Sequence, residues 1–243
     1  MLDAIIRSMS LTFVDVNDPE ASTFQPRSVP AVSTRFGSHV DHVGSPLGPY
    51  SSSHPNPIET GCSCASLTLG QHWPAAHEHV PMWRATPAWN ADWSEAEIRK
   101  ESCRRLCWSA MTLAAGYVSY ATAGSPQLWI SDPANVSVFF TVIYWLIAGQ
   151  YALLFSGESI TRSPSLGGHG SSKDTIWALY DRCFLLWHSS VKMREDSSIH
   201  DSDKAQFAIK AWLEADAIEN ALNRHTCDIE RNFIYQGREF IFK

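Results

Sequence analysis

Hydrophobic positions recur at three- and four-residue steps through most of the chain beyond Ser94. From Ser94 to Ala123, the positions Cys103, Leu106, Cys107, Ala110, Leu113, Ala114, Tyr117 and Ala121 fall on one face of a 3.6-residue period. That spacing predicts a long helix with this face buried. Ser94 with Glu97 three residues on forms a capping box that marks its start. Glu101 and Arg105, four apart with the acid first, are expected as an ion pair on the opposite, solvated side. A second periodic stretch runs from Asp174 to Met193 through Ile176, Leu179, Tyr180, Cys183, Leu186, Trp187 and Val191. A third begins near Ser202 and continues through Ala208, Ala211, Trp212, Ala215, Ile218, Leu222, Ile229, Phe233 and Phe240, with a break near Thr226. Residues 2–16 carry a shorter pattern through Leu2, Ile5, Ile6, Met9 and Phe13. Strand alternation is convincing nowhere, so the expected fold is mainly α, an irregular helical bundle with a long disordered N-terminal linker.

Three regions follow. Residues 1–20 read as a short helix of the domain, 21–93 as a mostly disordered or irregular linker, and 94–243 as an incomplete helical domain. Ser, Pro, Gly and His dominate from Pro26 to Thr60, too polar to offset the entropy of ordering. Trp73, Trp83, Trp89 and Trp93 follow, separated by Pro74, Pro81 and Pro87, and are expected to pack onto the helical body rather than lie on one helix. Met1 opens directly onto a helical pattern and Lys243 ends one without a cap, so truncation at both ends is expected.

The first long helix also carries a resemblance. Glu101, Arg104, Arg105, Leu106 and Trp108 resemble the Glu-x-x-Arg-Arg-Leu-x-Trp helix of the fungal-specific transcription factor domain, the regulatory middle homology region that follows a zinc binuclear cluster. Ser131-Asp132-Pro133-Ala134-Asn135, Tyr151 to Phe155, Asp174 to Asp181 with Trp177 and Tyr180, and Trp212 to Asp216 are similar to the same family in the same order. The likeness covers residues 94–243, and residues 1–20 and Cys62 to Gly70 resemble the domain in mushroom-forming fungi. It implies the regulatory, non-DNA-contacting part of a fungal zinc-cluster transcription factor that modulates RNA polymerase II transcription in the nucleus. Expected partners are transcriptional co-regulators or a small-molecule effector, with a homodimer in the intact protein. DNA would be reached only through the missing cluster, where zinc is also expected, and this chain itself would hold no cofactor.

Val136 to Phe155 contains no charged residue, and the run from Val138 to Ile147 is strongly apolar. Its length suits a membrane span. The alternative reading is therefore a membrane-associated helical protein inserting through 138–155, but no Lys or Arg cluster flanks the segment. The resemblance offers another origin, because in the family the Asp-Pro-Ala-Asn segment leads straight into Tyr-Ala-Leu-Leu-Phe. Residues 136–150 are expected to be a retained-intron insert, since Val136-Ser137 is encodable by the splice donor GTAAGT and Gln150 by the acceptor CAG. Genomic codons other than these at the two junctions end the idea. The sequon Asn135-Val136-Ser137 would then be an accident of the insert.

Charge narrows the function classes. The 243 residues carry a formal net charge of −6 and no basic run longer than Arg104-Arg105, so the footprint needed to neutralise phosphates is missing. No basic stretch precedes an apolar run at the N-terminus, and no signal peptide is expected. The chain has six cysteines, the number a fungal zinc cluster uses. Cys62-x-Cys64 and Cys103-x-x-x-Cys107 stand far apart, however, with Cys183 and Cys227 alone, whereas that cluster needs tightly spaced pairs. Cys103, Cys107 and Cys183 are expected as buried thiols on helix faces.

Other candidate chemistry is thin. His77-Glu78-His79 with His72 is the most metal-like group, but it lacks the His-x-x-x-His step and reads as a surface loop. His39, His42 and His54 fall in the linker. Gly167-Gly168-His169-Gly170 through Lys173 lacks the strand and Gly-Lys-Ser/Thr of a phosphate loop. Glu214, Asp216 and Glu219 read as a solvated acidic face. His188 and His225 are expected on helices, each with its hydrogen bonds satisfied. No nucleophile turn of the Gly-x-Ser-x-Gly type occurs. The reading therefore assigns no catalytic, cofactor-binding or metal-ligating residue and expects no enzyme.

Overall fold

In the computed structural model, residues 2–32, 62–79, 83–122, 151–162, 171–227 and 229 are described. In chain order they form α1 (Leu2–Ser8), β1 (Ser22–Phe24), α2 (Leu69–His72), α3 (Ala76–His79), α4 (Glu95–Thr122), β2 (Tyr151–Leu153), α5 (Glu158–Thr161), α6 (Ile176–Glu195) and α7 (Asp201–Leu222), with short 3-10 turns between. The fold is mainly α, as the periodicity predicts. One small exception is the antiparallel pair β1–β2, in register Ser22 to Leu153 and Phe24 to Tyr151. Three-residue strands are too short to show an alternation that sequence can reveal.

Helix α6 is the central element. Thr175 caps it, its hydroxyl accepting from the Ala178 N–H at 3.1 Å, and residues on nearly all its sides are buried, as in a helix enclosed by protein. Ala178 and Leu185 face one apolar cluster with Ile6, Leu11, Phe24, Trp108, Met111, Leu153 and Phe155. Ile176, Leu179, Cys183 and Leu186 face another with Cys64, Leu67, Ala88, Ile160, Ile218 and Leu222. Residues 22–32 and 62–93, assigned to the linker by composition, thus contribute Phe24, Val32, Leu67, Ala85 and Ala88 to the core. Residues 33–61 lie outside the described residues.

Helix α4 begins where the cap places it, the Glu97 N–H donating to Ser94 Oγ at 3.3 Å. Its buried face is rotated from the expected one. Glu101, Arg104, Cys107, Trp108 and Met111 point inward, while Leu106 is 37% and Leu113 68% exposed. The Glu101–Arg105 pair forms at 2.8 Å, but its acid is buried rather than solvated. Charge does not exclude a residue from the interior when every charge finds a partner, and an apolar periodicity cannot register that. On α7 the inward residues are Phe207, Glu214, Ile218, Ala221 and Leu222, and Trp212 is exposed. Glu214 is therefore not part of a solvated acidic face, although Asp216 and Glu219 are exposed. Trp93 packs against the core and Trp89 against Arg105 of α4, as expected, while Trp73 and Trp83 are about half exposed.

The insert at 136–150 and its sequon lie outside the described residues. Tyr151 to Phe155, the end of the segment considered as a membrane span, forms β2 and its continuation inside the core. No helix among the described residues is long and apolar enough to cross a membrane.

Candidate functional site

Two buried ionic networks set the positions of the interior side chains. In the first, Arg104 donates to both carboxylate oxygens of Asp15, at 2.7 and 2.6 Å, and to Glu101 at 3.1 Å. Asp15 also accepts from the Leu154 N–H at 2.9 Å, and Trp108 Nε1 donates to the Leu154 carbonyl at 2.8 Å. Glu101 further accepts from Arg105 at 2.8 Å and from Ser159 Oγ at 2.7 Å. Arg105 lies over the Trp89 ring at 4.1 Å, which explains how an exposed tryptophan is held. In the second network Arg182 donates to Glu214 at 2.9 and 3.2 Å, to Asp174 Oδ1 at 3.0 Å and to the Lys173 carbonyl at 3.2 Å.

The second network leads to a cluster of sulfur and nitrogen. Arg182 fixes Asp174, whose carbonyl oxygen accepts from His225 Nε2 at 2.8 Å. A carbonyl only accepts, so Nε2 carries a proton, and Nδ1 presents its lone pair whenever the ring is neutral. That nitrogen lies 3.6 Å from Cys64 Sγ and 4.0 Å from Cys227 Sγ. With Cys62 included, the four possible ligand atoms all lie within 4.8 Å of one another. Cys64 is buried, and its sulfur accepts from the Ile176 N–H at 3.4 Å. The other three residues are half-buried.

Local structure explains the convergence. Ser63 precedes a 3-10 turn over Cys64–Leu67, which turns Cys64 inward. Residues 67–88 are then pinned by the Leu69 N–H to Thr86 carbonyl bond at 2.8 Å and by Trp177 Nε1 donating to Ala85 at 2.7 Å. Helix α7 ends at Leu222 with Asn223 as its cap, so His225 lies beyond the helix on which it was expected.

Electrostatics reflects this proximity. The hydrogen bond from Cys64 lowers the Cys227 thiol to about 4, with His225 and the Ile229 N–H acting in the same direction against burial. Cys64 moves up because it gives its proton to that bond and because it is buried. His225 rises to about 9, the thiol contacts overcoming burial. Without a cation, the cluster is a Cys64 thiol hydrogen-bonded to a Cys227 thiolate beside His225.

The remaining candidates do not converge on a site. His72 is exposed, with Nε2 3.1 Å from the Ser66 carbonyl, and Glu78 and His79 are exposed on α3. His39, His42, His54 and Gly167 to Gly170 lie outside the described residues. Cys107 and Cys183 are buried thiols, both pushed up to about 12 by burial, while Cys103 is half-buried. His188 is buried on α6 without a hydrogen-bond partner among the described residues, contrary to the satisfied histidine expected there. Burial depresses it to about 4. An open groove of about 680 Å³ runs between residues 27–31, the end of α6 and α7, lined by Met193, Ile199, Phe207, Leu213 and Glu214. Comparison with protein-family models, with the curated proteins and with the solved structures found no match for this chain.

The sequence signal for the cluster was Cys-x-Cys at 62–64 and His-x-Cys at 225–227. Each is a pair two residues apart, and at Cys62-x-Cys64 the bend at Ser63, with φ −88° and ψ 4°, leads into the 3-10 turn that carries the second cysteine inward. Linear separation concealed that the two pairs meet.

Proposed function

We infer that the chain is the regulatory, non-DNA-contacting part of a fungal zinc-cluster transcription factor and modulates RNA polymerase II transcription. One observation carries this reading. The segments that resemble the family supply the buried connectors of the body: Trp108 donates to Leu154 directly, Arg104 reaches it through Asp15 and is held by Glu101, while Asp174, Arg182 and Glu214 tie α6 to α7. Such a pattern suits a domain whose task is to hold a shape that partners or effectors recognise, rather than to present groups to a reacting bond.

The groove beside α6 and α7 has a volume within the range of small-molecule sites, roughly 300–1,000 Å³. It is the place for an effector, with Glu214 and Arg27 at its wall as polar anchors. In this reading nuclear residence and DNA contact belong to the intact factor, in which a DNA-binding head is joined to this body. The nucleotide sequence upstream of Met1 tests it. A frame encoding six closely spaced cysteines among basic residues is expected; adjoining frames without such a head overturn the reading.

A further inference from the structure

Three cysteines and one histidine from two distant parts of the chain point their ligand atoms at one small volume. Cys62 and Cys64 precede α2, whereas His225 and Cys227 follow α7, and Cys64 and His225 are 161 residues apart in sequence. The geometry points to a structural Zn²⁺ site formed by Cys62, Cys64, His225 and Cys227, which clasps the end of α7 to the segment before α2.

Distance is the first support. Zn–S bonds of about 2.3 Å and Zn–N bonds of about 2.0 Å at tetrahedral angles separate two sulfurs by about 3.8 Å and a sulfur from a nitrogen by about 3.5 Å. The observed 3.6 Å from Cys64 Sγ to His225 Nδ1 is close to such an edge, and 4.0 Å from Cys227 Sγ to the same nitrogen is somewhat longer. The whole set, spanning at most 4.8 Å, needs only a small contraction to close around an ion.

The surroundings are the second support. Metal-bound histidines generally donate their other ring N–H to a carbonyl or carboxylate, which fixes tautomer and orientation. His225 does so to Asp174, itself held by Arg182. Thiolate ligands are commonly steadied by backbone N–H groups, and Cys64 accepts one from Ile176. Binding would release the thiol protons to solvent, leaving three thiolates and a dication with a net charge of −1, which the N–H donors partly offset.

Ligand softness and count choose the ion and the role. Three thiolates and an imidazole in a tetrahedron select zinc over magnesium or calcium, which take oxygen. Four protein ligands leave no open position, so the site is structural rather than catalytic. A clasp across so long a loop removes much of the freedom of the unfolded chain. This site is separate from any binuclear cluster, and it stands whether or not the transcriptional reading does.

Metal analysis of the full chain, purified under reducing conditions and supplied with zinc, tests the site. About one zinc per chain is expected, and it should be retained in Cys103→Ser and in His72→Ala/His79→Ala. Cys62→Ser, Cys227→Ser and His225→Asn should lose it. Cobalt(II) replacement in the unmutated chain reads the ligand set without any variant, through intense tetrahedral ligand-field bands and thiolate charge transfer. Chelation should lower the thermal midpoint by on the order of 10 °C. A folded chain that takes up no zinc, ligand variants that keep it, or an octahedral cobalt spectrum without thiolate charge transfer would each overturn the site.

Discussion

Gly157 sits at φ 84°, in the left-handed region, where it starts α5. A Cβ there would meet Trp177 Cε3 at 2.8 Å and Thr175 Oγ1 at 3.2 Å, so both backbone and space require glycine. Gly157→Ala should cost about 1–3 kcal/mol in chemical denaturation; an unchanged midpoint would mean the turn relaxes freely. Asp181 offers a second test. Burial raises its pKa from 3.8 to about 7, with neighbouring Glu158 and Glu101 adding to the shift, although the Ser156 N–H donates to it at 2.8 Å. Between these values the folded chain binds more protons than the unfolded one, so the contribution is complete below about pH 4 and is lost as pH rises through about 7. Asp181→Asn keeps an oxygen for the Ser156 bond. Its stability relative to the unmutated chain should therefore rise across that window, by up to about 1.4 kcal/mol per pH unit, and parallel pH profiles would contradict the assignment. Neither residue was legible in the sequence, because the φ of Gly157 beside α6 and the burial of Asp181 on α6 arise from tertiary packing rather than from local pattern.

At the scale of elements, the long helices were legible and their orientation was not. Ser94 and Thr175 hydroxyls mark where α4 and α6 begin, and hydroxyl caps are local chemistry that a sequence displays. The face that α4 buries depends on Asp15, which arrives from far upstream to neutralise Arg104, and no periodicity contains that partner. Similarly, Glu214 turns inward because Arg182 waits for it on α6. Removing one member should be severe. Asp15→Ala leaves Arg104 with Glu101 alone and strips the Leu154 N–H of its acceptor, a loss of about 3–5 kcal/mol. Asp15→Asn, which retains one acceptor oxygen, should lose less. Urea unfolding separates the two variants; equal, small losses would mean that the network contributes little to holding α4 against β2.

For the molecule as a whole, α6 divides two apolar clusters. The candidate metal centre escaped linear reading for the same reason: Cys62-x-Cys64 and His225-x-Cys227 meet only after α6 and α7 have packed. Under the proposed function, this body controls transcription when attached to a DNA-binding head. The most direct measurement is a fungal reporter assay in which the full chain is fused to a heterologous DNA-binding domain and compared with that domain alone. Reporter transcription should change at equal nuclear abundance, and Arg182→Met, which uncouples α6 from α7, should diminish the change. Reporter output identical to that of the DNA-binding domain alone, from a folded and nuclear fusion, would contradict the regulatory reading.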